Sequence, residues 1–417
     1  MILPPGALRH TIFTCLCLCF TASSAVCQTI DNNPIAKQEI LDQVNVAMSK
    51  LAFVPGVDFT KWPEFLNSER PRIDAAANDD EFQRAVNAAL RKFGASHIVL
   101  NAPKIADLRL TGSMVGIGIS TRVVADGLLV TRTVDDAPAE RGGIVPGDII
   151  VQVDGKVPQG TKGIEGKDGT DVTLTVRHVD KTTEDYTLTR RVFSSIRPEE
   201  LKWVDKDTAL LTINTFGFSY DKDRVKGFMQ EAQQGKHLIL DLRDNGGGEI
   251  GNLRHLLGFL LPPSVPVGTF IDRTICDDYV SATHGNPTDL AAIAKWTPKK
   301  VRPIPQLDVP VFTGQIIILT NGLSGSASEI IAAGLRDLLG SKIVGTKSAG
   351  MVLVSRYDAV TNRFMLQYPV SDYVTIKGVR LEGTGVTPDV IVEDTLHLPN
   401  APDPPVEKAR AIFAGKV

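Results

Sequence analysis

Cysteine is nearly missing from the body of this 417-residue chain: Cys15, Cys17, Cys19 and Cys27 crowd its first residues, and only Cys276 lies beyond them. Disulfide stapling is therefore excluded as the means of holding the fold. Long apolar runs near the start are missing too, because the stretch from Ile12 to Phe20 is too short to span a bilayer. The net charge is only −3, so no basic excess exists to draw in nucleic acid or an anionic membrane surface. No metal-ligand spacing, internal repeat or low-complexity tract can be found, and no cofactor is implied.

What is present is ordinary globular composition, 43% hydrophobic and 22% charged, in a chain too long for one core. Arg9, the apolar run and the small residues Thr21 to Ala25 have the layout of a signal peptide over residues 1–25. Cleavage after Ser23-x-Ala25 would export the protein to the periplasm or the exterior. Val26 before Cys27 is a poor fit to lipoprotein processing.

Three regions follow. Over residues 30–105, Ile40, Leu41, Val44, Met48 and Leu51, then Phe82, Val86, Ala89, Leu90 and Phe93, keep helical spacing and predict two amphipathic helices. Between them, Pro55 to Pro71 reads as a connection. Residues 106–190 change to short alternating strands and glycine turns, a compact β-rich module with a short helix at Ala137-Pro-Ala-Glu-Arg. Residues 195–398 alternate apolar strands with helices, which indicates an α/β layer on a largely parallel sheet. Residues 399–417 read as a C-terminal tail.

Two segments of the α/β region can carry chemistry. The strand Gln315–Thr320 runs into Asn321-Gly-Leu-Ser-Gly-Ser-Ala-Ser-Glu-Ile330 and a helix, so a hydroxyl can stand at a helix N-terminus, where free amides stabilise a developing oxyanion. Taken alone, Ser324, Ser326 and Ser328 could equally be helix caps. The other segment, Asp241-Leu-Arg-Asp-Asn-Gly-Gly-Gly248, lets backbone amides approach a reacting carbonyl closely. It lacks the lysine–serine pair of a phosphate loop.

Together these two segments resemble the paired signatures of carboxy-terminal processing (tail-specific) serine peptidases. Gly116-Ile-Gly-Ile119, Ala137-Pro-Ala-Glu-Arg-Gly-Gly and Gly147-Asp-Ile-Ile150 resemble the PDZ domain those enzymes carry. The resemblance implies an α/β catalytic domain with a ClpP/crotonase-like layered core, a PDZ domain and peptide-bond hydrolysis through an acyl-enzyme. The substrates would be proteins or peptides with exposed C-termini. It further implies Ser326 as nucleophile, with oxyanion donors from Ala327 and from the Gly247–Gly248 pair. A carboxylate-capturing loop would lie at Val115, Gly116, Ile117 and Gly118, where a peptide could add as an extra strand.

One departure stands out. Where the bacterial tail-specific branch carries a general-base lysine, this chain has Met351, and a thioether cannot accept the serine's proton. Phe93-Gly-Ala-Ser-His-Ile-Val99 and Leu381-Glu-Gly-Thr-Gly-Val-Thr-Pro-Asp-Val390 resemble segments of the tricorn branch, which imply His97 as base with Ser96 and Glu382 as its partners. Lys347, four residues before the missing position, is the competing base. A decayed site on a peptide- or ligand-binding protein is the competing function. His178, His237, His255, His284 and His397 lack any motif and read as surface or packing residues.

Overall fold

The structure is a computed structural model that describes residues 33–102, 112–158, 160–393 and 401–416. The predicted signal peptide, with Cys15, Cys17, Cys19 and Cys27, lies outside these residues. Among the described residues no helix is long and apolar enough to cross a membrane.

A six-stranded sheet organises the α/β region, in the order Val390–Ile391, Lys342–Gly345, Gln315–Thr320, His237–Asp241, Thr208–Thr212 and Glu200–Trp203. Every neighbouring pair is parallel except the last. Both faces are buried, so the strands read as near-continuous apolar runs whose alternate side chains serve different layers. Leu238, Leu240, Ile316 and Ile318 face the cluster that includes Val225, Leu253 and Ile331 of the covering helices. Ile239, Ile317 and Leu319 face Val406 and Ala409.

That second contact corrects the reading of residues 399–417 as a tail. Pro404–Phe413 is a helix, capped by the Asp403 side chain, and it forms part of the sheet's second layer. Its entry is pinned to the glycine loop: Arg243 donates to Asp241 at 2.9 and 2.6 Å and to Asp403 at 3.1 and 2.7 Å. Burial pulls against the charge on the guanidinium, but the two carboxylates more than reverse this and hold its pKa above the usual arginine value.

A second sheet is antiparallel. Phe364–Thr375 pairs with Val99–Asn101, Gly268–Asp272 and Val354–Val360. The N-terminal helices pack on it, since Ile40, Leu41, Trp62, Phe82 and Val86 share one core with Phe364, Leu366 and Tyr368. The described part of residues 30–105 is thus a layer packed on this sheet and not a separate core. Their described part holds three α-helices, Pro34–Val46, Trp62–Ala75 and Asp79–Leu90. The middle one lies largely in the stretch read as a connection. It buries only Trp62 and Ile73 and carries Pro71 inside, so its apolar periodicity is faint.

The β-rich module is a five-stranded antiparallel sheet in the order Ile119–Val124, Gly127–Thr133, Ile149–Val153, Asp171–Arg177 and Thr183–Thr189, with the expected short helix at Pro138–Arg141. Ile117, Leu128, Val130, Ile150, Leu174 and Val176 fill its core. Ile119–Val124 is an edge strand with one neighbour in the sheet.

Replacing Arg243 by Ala would strand the half-buried Asp403 and the buried Asp241 without their cation. Urea unfolding of Arg243→Ala should show a loss of about 3–5 kcal/mol, the usual cost of breaking a buried pair from one side. A midpoint within error of the parent would mean that the C-terminal helix is not held this way.

Candidate active site

The sheet register sets the site. Asp241 lies opposite Leu319, so the parallel strands His237–Asp241 and Gln315–Thr320 end side by side and release their following loops at the same edge. Asn245 ties these loops together. Its carbonyl accepts from the Gly325 N–H at 2.9 Å and from Ser328 Oγ at 2.9 Å, while its Nδ2 donates to the Ile213 carbonyl at 2.7 Å.

The three serines of the turn separate by what they touch. Ser324 and Ser328 are fully buried, and their hydroxyls donate to the carbonyls of Leu242 (2.8 Å) and Asn245 (2.9 Å). Ser326 is only half-buried. It precedes the helix Ala327–Leu339 with φ 53° and ψ −114°, a left-handed backbone that costs a non-glycine residue roughly 1–3 kcal/mol.

Gly247 sits directly against it. A Cβ added at Gly247, which has φ +96°, would lie 2.5 Å from the Ser326 Cβ and 3.0 Å from the Ala327 nitrogen. Only glycine allows the loop this close. The Gly247 N–H, however, donates to Asn245 Oδ1 at 2.9 Å, which removes Gly247 from the pair expected to supply an oxyanion donor and leaves it the role of close approach. Among the described residues, neither the Gly248 N–H nor the Ala327 N–H is spent on another acceptor.

A second cluster holds the histidine. Ser96 donates through its N–H to Glu382 Oε1 (2.9 Å) and through its hydroxyl to Glu382 Oε2 (3.0 Å), and its Oγ lies 2.6 Å from His97 Nδ1. With the Ser96 proton directed at the carboxylate, Oγ accepts from Nδ1–H, and the imidazole lone pair falls on Nε2. Glu382 is buried, and Oε2 also accepts from the Val352 N–H at 2.9 Å. His97 has φ 58°, a second left-handed non-glycine at the site.

Residues 350–352 join the two clusters. Met351 donates its N–H to Glu329 Oε2 at 2.9 Å, the same oxygen that accepts the Ser326 N–H at 3.0 Å, and the next amide, Val352, reaches Glu382. The Met351 side chain is 45% exposed. Lys347 is exposed and makes no hydrogen bond or ion pair among the described residues. Asn245 and Glu329 were not singled out from the sequence, although Ser326-x-x-Glu329 has the spacing of a capping box. Of the other described histidines, His178 pairs with Asp148 and Tyr186, and His255 is packed against Tyr220, with burial pulling its pKa down to about 4.

In the β-rich module the expected carboxylate loop divides. Val115 and Gly116 belong to the strand Ser113–Gly116, paired with Arg191–Ser194, so they are ladder residues. Ile117 and Gly118 form the turn into the edge strand. Their carbonyls accept from the Ala139 and Val134 amides at 2.9 and 2.8 Å, and a Cβ on Gly118 would lie 2.1 Å from that of Ala137.

Comparisons with known proteins fit this geometry. Residues 207–392 match the model of peptidase family S41, and residues 129–177 match a PDZ domain. A "Probable CtpA-like serine protease" of Staphylococcus aureus is 28% identical over 292 residues, 68% of this chain and 54% of that protein. A protein of the same description from Staphylococcus epidermidis gives the same figures: 28%, 292 residues, 68% and 54%. The chain spans about half the length (54%) of these curated relatives. Among solved structures, the photosystem II D1 C-terminal processing protease superposes with TM-score 0.51 at 18% identity, covering 86% of this chain and 93% of that one. Mature CPAF complexed with lactacystin gives 0.58 at 15%, covering 91% and 97%. The "Putative S41 protease from Bacteroides fragilis NCTC 9343" gives 0.58 at 17%, covering 88% and 99%. At these identities the structures share the fold.

The division of labour among the serines is measurable without any substrate. Ser324→Ala should cost about 1–3 kcal/mol in denaturant unfolding, because it removes a buried hydroxyl that accepts from the Asn321 N–H and donates to the Leu242 carbonyl. Ser326→Ala should cost under about 1 kcal/mol. The reverse ranking would show that Ser326 is the structural cap.

Proposed function

With residues 207–392 a domain of peptidase family S41 and residues 129–177 a PDZ domain, we propose that this chain is an exported serine endopeptidase that cleaves near the C-termini of unfolded or tagged proteins. The observation that carries the proposal is the seating of Gly247 against Ser326, with the Gly248 and Ala327 amides unspent beside it. A carbonyl approaching Ser326 Oγ would find these two amides available as donors to the oxygen that becomes negative.

In this reading His97 Nε2 takes the Ser326 proton as Oγ attacks the peptide carbonyl. The tetrahedral oxyanion rests on the Gly248 and Ala327 amides. The intermediate collapses to an acyl-enzyme, and the leaving amine takes the proton from His97. Water then repeats the sequence in reverse roles and frees the carboxylate. Glu382, acting through Ser96, fixes the tautomer and stabilises the imidazolium. The base thus comes from the histidine arm, and Met351 does not disqualify the site. A non-catalytic binding protein would have no use for a histidine whose tautomer is fixed in this way.

The PDZ edge strand Ile119–Val124 would receive the substrate's C-terminal segment as an added strand, its carboxylate at the Ile117–Gly118 turn. Export rests on the sequence of residues 1–25 alone.

If His97 is the base, kcat/KM should rise with pH through an apparent pKa of about 6–7. His97→Ala should lose several powers of ten, Glu382→Gln less, and Lys347→Ala little. Full activity in His97→Ala together with loss in Lys347→Ala would transfer the role to the lysine. Peptide capture is tested in the full-length Ser326→Ala protein. A peptide with a free apolar C-terminus should bind more tightly than its amide by roughly 1.5–3 kcal/mol, the worth of hydrogen bonds to a charged group. Equal affinities would remove the carboxylate from the recognition.

A further inference from the structure

One carboxylate at the centre of this site has no part in the reaction just described. Glu329 is fully buried on the first turn of the helix Ala327–Leu339. Its Oε1 accepts from Ser348 Oγ at 2.5 Å and from the Gly350 N–H at 2.7 Å, and its Oε2 accepts from the Ser326 N–H at 3.0 Å and the Met351 N–H at 2.9 Å. Four donors converge on two oxygens. A carboxylate oxygen pair has the lone pairs to accept from all four, and it stands at a helix N-terminus, where acceptors are favoured.

The four donors belong to two different parts of the machinery. One is the amide of Ser326 itself, whose φ of 53° needs an external hold. Two are the amides of Gly350 and Met351, and the amide that follows, Val352, reaches Glu382 at 2.9 Å, the carboxylate that grips Ser96 beside His97. Residues 350–352 are therefore a short bar with Glu329 at one end and Glu382 at the other.

We propose that Glu329 is a positioning residue for both halves of the catalytic apparatus: it holds Ser326 in its left-handed conformation and docks the 350–352 bar that fixes the Glu382–Ser96–His97 arm. The proposal rests on the serine-peptidase reading. Glu329 touches no substrate and acts through Ser326 and Glu382.

The test is Glu329→Gln, which keeps the shape but replaces one oxygen by an NH2 that faces two donors. A peptide substrate and a fluorophosphonate probe are the readouts. kcat and the labelling rate should fall together by about 30- to 300-fold, the scale of an ångström-sized misplacement, with KM within about twofold. Joined to His97→Ala, the second change should lower activity by no more than about threefold, because residues that act as one unit lose their effect once the unit is broken. A merely structural role would instead track the folded fraction and multiply with the His97 loss; either that result or a kcat within threefold of the parent overturns the inference. Should Glu329→Gln fail to fold, Ser348→Ala removes one of the four donors and should lower kcat about three- to tenfold at constant KM. An unchanged kcat there also overturns it. Labelling of the parent that Ser326→Ala abolishes establishes the underlying reading separately. No labelling of the parent takes down reading and inference together, whereas labelling that Glu329→Gln leaves unchanged takes down the inference alone.

Discussion

Two parallel strands must end at the same level for this site to exist. The pairing of Asp241 with Leu319 brings the glycine loop and the serine turn out of the sheet side by side. From there the loops are locked by hydrogen bonds to the backbone of Asn245 and by the side chains of Ser324 and Asn321, which reach Leu242 and Asp244 across the gap. A slip of one residue in that register would turn Leu238 and Leu240 from one layer to the other and would also separate Gly247 from Ser326. The apolar alternation that builds the core and the approach that builds the site are thus one constraint.

The histidine arm reaches the site by another route. His97 follows directly on the N-terminal helices, which are packed on the antiparallel sheet through Phe82, Val86, Phe364 and Leu366. The sheet also carries Val354–Val360, just beyond the bar at 350–352. The helical layer therefore positions His97, and its burial would matter to catalysis under the reading proposed above.

Much of this was legible in the sequence. Continuous apolar strands such as Leu238–Leu242 and Ile316–Leu319 announced a doubly covered parallel sheet, and the motifs around Gly247 and Ser326 announced loops that meet. What stayed hidden was long-range or faint in period. The helix Trp62–Ala75 buries too few residues to show a stripe, and the helix Pro404–Phe413 is short and terminal. The commitment of the Gly247 amide to Asn245 depends on a side-chain rotamer that no spacing reports. The convergence of Ser348, Gly350 and Met351 on Glu329 depends on a loop closure about twenty residues away, which local pattern cannot see.

The bond between Ser96 and Glu382 joins residues 286 positions apart. Such a contact can close only after nearly the whole chain has emerged and both sheets have formed, because loop-closure entropy must be met before the bond returns anything. A chain that is still being made has its serine and its glycine loop but lacks a fixed imidazole. Under the peptidase reading proposed above, topology alone would therefore withhold proteolytic competence until both sheets have formed.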